Sequence, residues 1–171
     1  MQLTKSIAEA NARAAEANKI AEQERLARLQ LEAILAPRGL NAEQANDLID
    51  KLKPFAGQKF DLFIYSNDGE VVFFTNVLSN ILQLSGWTGQ TWSVSGGRTV
   101  VGIVVETIDG ADQQTNEAAN SFVRGLVSAQ IGAVGPTPFR KDDVPGALLT
   151  GPAWNKNKLS PIRIMVGKKL L

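Results

Sequence analysis

Lys59-Phe-Asp-Leu-Phe-Ile-Tyr-Ser66 runs directly into Asn67-Asp-Gly-Glu70, and then Val71, Phe74, Val77, Leu78, Ile81 and Leu82 follow before Gly86. Aromatic and β-branched residues crowd the first run, which reads as a strand. Asn67 is placed to cap a helix with Glu70 at its third position, and the apolar residues beyond recur at 3.6 spacing. Strand, tight turn and amphipathic helix in this order make the unit from which an α/β domain is built.

Downstream, residues 92–95 predict a short strand, Gly96-Gly97 a turn, and residues 100–108 a strong strand in which Gly102 permits a bulge or close packing. A second helix begins at Asp109 or Asp112, carries Ala118, Ala119, Phe122, Val123, Leu126 and Val127, and stops near Gly132. Pro136, Pro138, Pro145, Pro152 and Pro161 make residues 133–161 a long loop, with room for an edge strand near Ala133, and residues 162–166 are a last strand. The fold class is thus α/β, in the order βαββαβ. A hairpin at Gly96-Gly97 gives a ferredoxin-like two-layer domain with both helices on one face. A wider crossing gives a mostly parallel, flavodoxin-like sheet. The short link favours the hairpin.

Upstream, residues 2–36 contain neither Gly nor Pro and are dominated by Ala, Glu, Gln, Leu, Lys and Arg, all strong helix formers. They repeat in sevens, with a seam through Leu3, Ile7, Ala10, Ala14, Ala17, Ala21, Glu24, Arg28, Leu31 and Leu35. Such a helix is about 52 Å long at ~1.5 Å per residue, more than a domain of this size spans. Pairs such as Glu9 with Arg13 and Glu24 with Arg28 would support it in water. Its scattered Ile and Leu instead favour an oligomeric stalk. Self-association through Ile7, Ile20, Leu31 and Leu35 is the expected partner contact. Pro37-Arg-Gly39 ends the helix, and Asn41 with Gln44 forms the cap of a short helix carrying Leu48, Ile49 and Leu52. The organisation expected is a coiled-coil helix over 1–36, a short helical linker over 37–57 and an α/β domain over 58–171.

The 171 residues include no Cys and no His. Thiolate nucleophiles, imidazole bases, Ser-His-Asp sets and Cys- or His-based zinc sites are thereby excluded. Charge is nearly balanced overall, with 18 Lys and Arg against 17 Asp and Glu, but residues 137–171 hold seven basic and two acidic residues. These are scattered among Pro, Gly and Asn and read as a solvated loop rather than a nucleic-acid surface. No apolar run approaches the ~20 residues of a membrane span, so the chain is expected to be soluble as given.

The turns hold the candidate site. Ser66 and Asn67 lie where a strand end meets a helix start, a place suited to anions, although Asp68 and Glu70 fit plain capping as well. Ser95, Gly96, Gly97 and Arg98 combine flexible amides with a guanidinium, as in a phosphate cradle, without the spacing of any dinucleotide fingerprint. Asp61, Asp68 and Glu70 are the only acidic set to weigh for a divalent cation, and strand alternation argues against their convergence. Lys168 and Lys169 suit a soluble strand edge. Trp87 and Trp92 read as packing, while Phe139 and Trp154 are expected to staple the long loop to the domain or to a partner.

Leu35-Ala-Pro-Arg-Gly-Leu40, Leu52-Lys-Pro-Phe-Ala-Gly57, Phe60-Asp-Leu-Phe-Ile-Tyr65, Ser85-Gly-Trp87, Gly102-Ile-Val-Val-Glu106 and Ile162-Arg-Ile-Met-Val-Gly-Lys-Lys169 carry a resemblance over nearly the whole chain. It resembles a group of uncharacterised bacterial proteins in which one or two membrane helices precede an Ala/Glu-rich coiled coil and a small α/β domain. The resemblance implies attachment to a membrane through a segment absent here, and it implies no activity and no site residues. The reading that follows is a non-enzymatic structural or interaction protein without cofactor or metal, a stalk carrying a domain that binds an unknown protein partner or ligand. An anion- or nucleotide-binding sensory module is the alternative.

Overall fold

A computed structural model describes residues 2–97, 99–146, 148–152 and 159–169. The chain divides into an N-terminal helical unit ending at Pro37 and a domain that starts at Arg38. Helix α1, Gln2–Leu35, forms the first unit, and each of its described side chains is exposed, Ile7, Ile20, Leu26, Leu29 and Leu31 among them. Among its described residues Arg25 pairs with Glu22 at 3.9 Å and Arg28 with Glu32 at 2.9 Å. The expected Glu24 to Arg28 pair gives way to the latter, a small matter energetically because exposed helix pairs are each worth only ~0.3–0.5 kcal/mol. Among the described residues no helix is long and apolar enough to cross a membrane.

The domain runs α2 (Ala42–Leu52), a 3-10 turn (Lys53–Phe55), β1 (Lys59–Ile64), α3 (Gly69–Leu84), β2 (Thr88–Ser95), β3 (Ile103–Ile108), α4 (Gln113–Ser128), β4 (Ala133–Phe139), β5 (Leu148–Thr150) and β6 (Ile162–Val166). Asn41 caps α2 in the expected capping box with Gln44. Asp68 rather than Asn67 caps α3, its carboxylate accepting from the Glu70 N–H at 3.0 Å. Asp112 caps α4 through the Thr115 N–H at 2.7 Å. Residues 42–55, expected to be a linker, belong to the domain: Leu48 and Leu52 are buried, and α2 packs on both α3 and α4.

Six strands form one mixed sheet in the order β4-β3-β6-β1-β2-β5. β1 is parallel to β2 and to β6, β3 is antiparallel to β6 and parallel to β4, and β5 is antiparallel to β2. The hairpin expected at Gly96-Gly97 is absent, since β1 and β6 lie between β2 and β3. The unit β1-α3-β2 leaves β2 pointing the same way as β1, and the chain then crosses the ends of two strands. Three strand spacings come to about 14 Å, and the seven residues 96–102 extend to roughly 23 Å. A short link is therefore compatible with a crossing. The sheet is therefore not ferredoxin-like; the wider crossing holds, with three strand pairings parallel and two antiparallel, and the two-layer arrangement is as expected: α2, α3 and α4 share one core with Phe60, Leu62, Ile64, Ile103, Val105, Ile162, Ile164 and Val166. The supposed long loop contains two edge strands. β4 carries Pro136 and Pro138, which lack the N–H that would invite another strand.

Candidate functional site

Strand alternation sends Phe60, Leu62 and Ile64 of β1 toward the helices and Asp61 and Phe63 to the opposite face. In β6 the same rule puts Arg163 and Met165 on that face, and in β3 Val104 and Glu106. Register lines these up: Gln90, Asp61, Arg163, Glu106 and Thr137 stand in one row across β2, β1, β6, β3 and β4. Neighbours in such a row are about 4.8 Å apart at the backbone. Three charged residues at its centre are buried: Asp61 at 2%, Arg163 at 1% and Glu106 at 8% exposure.

The Asp61 carboxylate accepts from the Ser160 N–H at 2.9 Å and from its hydroxyl at 2.8 Å. Burial raises its pKa, while the two Ser160 bonds and the Arg163 charge pull it back. Burial lowers the Arg163 pKa, opposed by Glu106, Asp61, Asp143 and Tyr65. The guanidinium, which stays charged in any protein setting, lies 3.7 Å from the centre of the Phe139 ring, a cation–π contact in a dry location. Above this row runs a cleft of about 740 Å³, lined by Glu106, Phe139, Asp142, Asp143, Pro145 and Arg163 among others.

Loops close this face where no helix does. The Tyr65 hydroxyl donates to the Pro145 carbonyl, and Trp92 Nε1 donates to the Pro152 carbonyl at 2.8 Å. Asp143 fixes the bend that precedes both by accepting from the Arg140 N–H at 2.9 Å. Beneath, Phe63 stacks on Trp92 at 5.4 Å, within a small second core that includes Val94, Val100 and Met165.

No family model matches the chain, and neither the curated proteins nor the solved structures compared with it yield a match. Its geometry alone carries the functional reading.

Ser66, Asn67, Ser95, Gly96 and Gly97 are brought together at one end of the sheet, because β1 and β2 are adjacent, parallel and end there. The first turn is internally engaged: Ser66 Oγ accepts from the Asp68 N–H at 3.2 Å, and Asp68 occupies the Glu70 N–H. Gly97 reaches the edge of the cleft over Arg163. Arg98 and Trp154 lie outside the described residues. Asp61, Asp68 and Glu70 do not converge, since Asp61 is held by Ser160, Asp68 caps α3, and Glu70 is taken by Arg38. Among the described residues no acidic group is arranged for a metal ion. Of the residues expected to bind partners, Ile7, Ile20 and Leu31 are exposed on α1, and Leu35 is its last residue.

Two functional features escaped the sequence. Arg38 is buried, binds Glu70 through Nε at 2.7 Å and Nη2 at 2.9 Å, and donates from Nη2 to the Gly167 carbonyl at 2.7 Å. The row of Asp61 and Arg163 spans the whole domain in sequence. A signal existed: each is the one charged residue within an otherwise apolar run, residues 60–64 and 162–166, at the same offset from its start.

Proposed function

We propose that this chain is a non-enzymatic interaction protein, in which α1 associates with copies of itself and the α/β domain meets a partner or ligand on its helix-free face. The exposure of every described α1 side chain supports the first part: five large apolar residues of this helix, Ile7, Ile20, Leu26, Leu29 and Leu31, are in water. Surfaces of that kind are held in solution by a partner. The second part draws on the cleft above Arg163. Its lining joins the Arg163 guanidinium and the Phe139 ring with Asp143, whose carboxylate accepts from the Arg140 N–H, an arrangement suited to recognition more than to proton transfer.

Light scattering across a concentration series tests the assembly. The intact chain is expected to give the mass of an oligomer, and Ile20→Asp together with Leu31→Asp to give a monomer; an intact chain that stays monomeric at high concentration overturns the reading.

A second reading, an anion- or nucleotide-binding sensory module, draws on the adjacency of the β1 and β2 ends, the usual place for ligands in α/β sheets. The engaged N–H groups of the Ser66 turn weigh against it.

A further inference from the structure

Taking self-association of α1 as given, we propose that two copies pair antiparallel, crossing at Leu26, so that Glu24 of each helix faces Arg28 of the other. The inference rests on the reading above and concerns the partner's direction. Glu24 stands at a core position of the heptad seam, exposed, and among the described residues it forms no ion pair. A parallel pair would set Glu24 against Glu24 and Arg28 against Arg28 in successive layers of one seam, like charges in the least hydrated place. Reversing one helix turns both layers into opposite-charge pairs, with Arg28, which Glu32 of its own helix meets through Nε at 2.9 Å, turning its other nitrogens to Glu24 of the second copy. Polar residues at core positions cost stability but fix register and orientation.

Size complementarity points the same way. The seam is narrow early, through Ala14, Ala17 and Ala21, and wide at Leu31. Parallel helices would have to approach closely at one end and stand apart at the other, leaving voids beside the alanines. With the crossing at Leu26, Ala21 meets Leu31 of the other helix, and Leu31 meets Ala21. Ala17 likewise meets Leu35, so the apolar seam layers of the overlap each join one small and one large residue, the alternation that fills a core. Flanking the seam, Arg25 is paired on its own helix by Glu22, which limits repulsion across the axis.

The chain has no native cysteine, so one spin label on Ala12→Cys, an exposed position away from the seam, reports the direction. In the antiparallel pair the two labels lie about 42 Å apart along the axis, at ~1.5 Å per residue; in a parallel pair they stand level, roughly 20 Å apart, two helix widths. Light scattering on the same labelled sample separates the failures. A dimer with the long distance supports the proposal, and a dimer with the short distance overturns the orientation while keeping the stalk. A monomer overturns both.

Discussion

The two buried arginines show how differently one residue type behaves in this domain. Arg38 meets Glu70 bidentately, gains the Gly167 carbonyl, and rests 5.0 Å from the Phe74 ring centre. In return its side-chain bonds hold the Glu70 carboxyl below its ordinary 4.5, against the opposing effect of burial. The folded state therefore binds this proton less readily than the unfolded chain. The Glu70 contribution is present above about pH 4.5 and is lost as the pH falls through the lowered folded value. Asp61 has the opposite sign, because burial lifts it and acidification through its folded value favours the fold. Glu70→Gln is expected to destabilise by about 3 kcal/mol at neutral pH, since it leaves the Arg38 charge buried against a neutral amide. Denaturant unfolding at a series of pH values checks both statements: the variant should lose less stability on acidification than the parent, and equal acid sensitivity would deny Glu70 its role. Arg163 left a sequence signal, a lone charge within an apolar strand, whereas Arg38 left none. Arg38 sits among helix-breaking residues, Pro37 and Gly39, and looks solvated. Its partner is chosen by how the chain after α1 meets the start of α3, which no local pattern encodes.

Elements were easier to read than their connections, for a physical reason. Helix α4 was placed by periodicity and by Asp112, and β6 by its run of apolar residues, because both signals lie inside the element. The path from β2 to β3 is decided by which strand edge the α3 crossover leaves open, a property of the whole sheet. β5, only three residues long, pairs with β2 and has no periodicity to show. What the helix layer did conceal is a size relation. Gly125 in α4 faces Leu48 of α2, where a Cβ would overlap Leu48 Cδ1. Glycine there is a packing choice that gives up about 1 kcal/mol of helix propensity. Leu48→Ala should cost roughly 2–4 kcal/mol for the cavity it opens. Gly125→Ala alone should destabilise as well, since Leu48 is 1% exposed and must shift within a filled core. In the double variant the new methyl enters the vacated space and recovers helix propensity, so the two effects should sum to less than their parts. A double-mutant cycle by urea unfolding that returned strict additivity would show that the two residues do not share the space.

At the scale of the whole molecule, the division falls between Pro37 and Arg38, and the position of one side chain makes that boundary consequential. Among the described residues, both apolar cores are built from side chains beyond the boundary. A shortened chain starting at Pro37 should therefore unfold at the same temperature as the intact chain when both are compared as monomers, losing only helical circular dichroism. A chain starting at Leu40 looks almost identical in sequence, yet it removes Arg38 and with it the partner that Glu70 and the Gly167 carbonyl possess. The Glu70 carboxylate, 18% exposed in the intact chain, then loses the guanidinium that binds it. A loss of about 3 kcal/mol from a broken buried pair corresponds to roughly 10 °C in a domain of this size. Thermal unfolding of the two shortened chains, side by side, isolates the contribution of a segment too short to add any core of its own. Equal midpoints would mean that Arg38 is anchored without stabilising. A drop in both would mean that α1 supports the domain and that the two units are coupled.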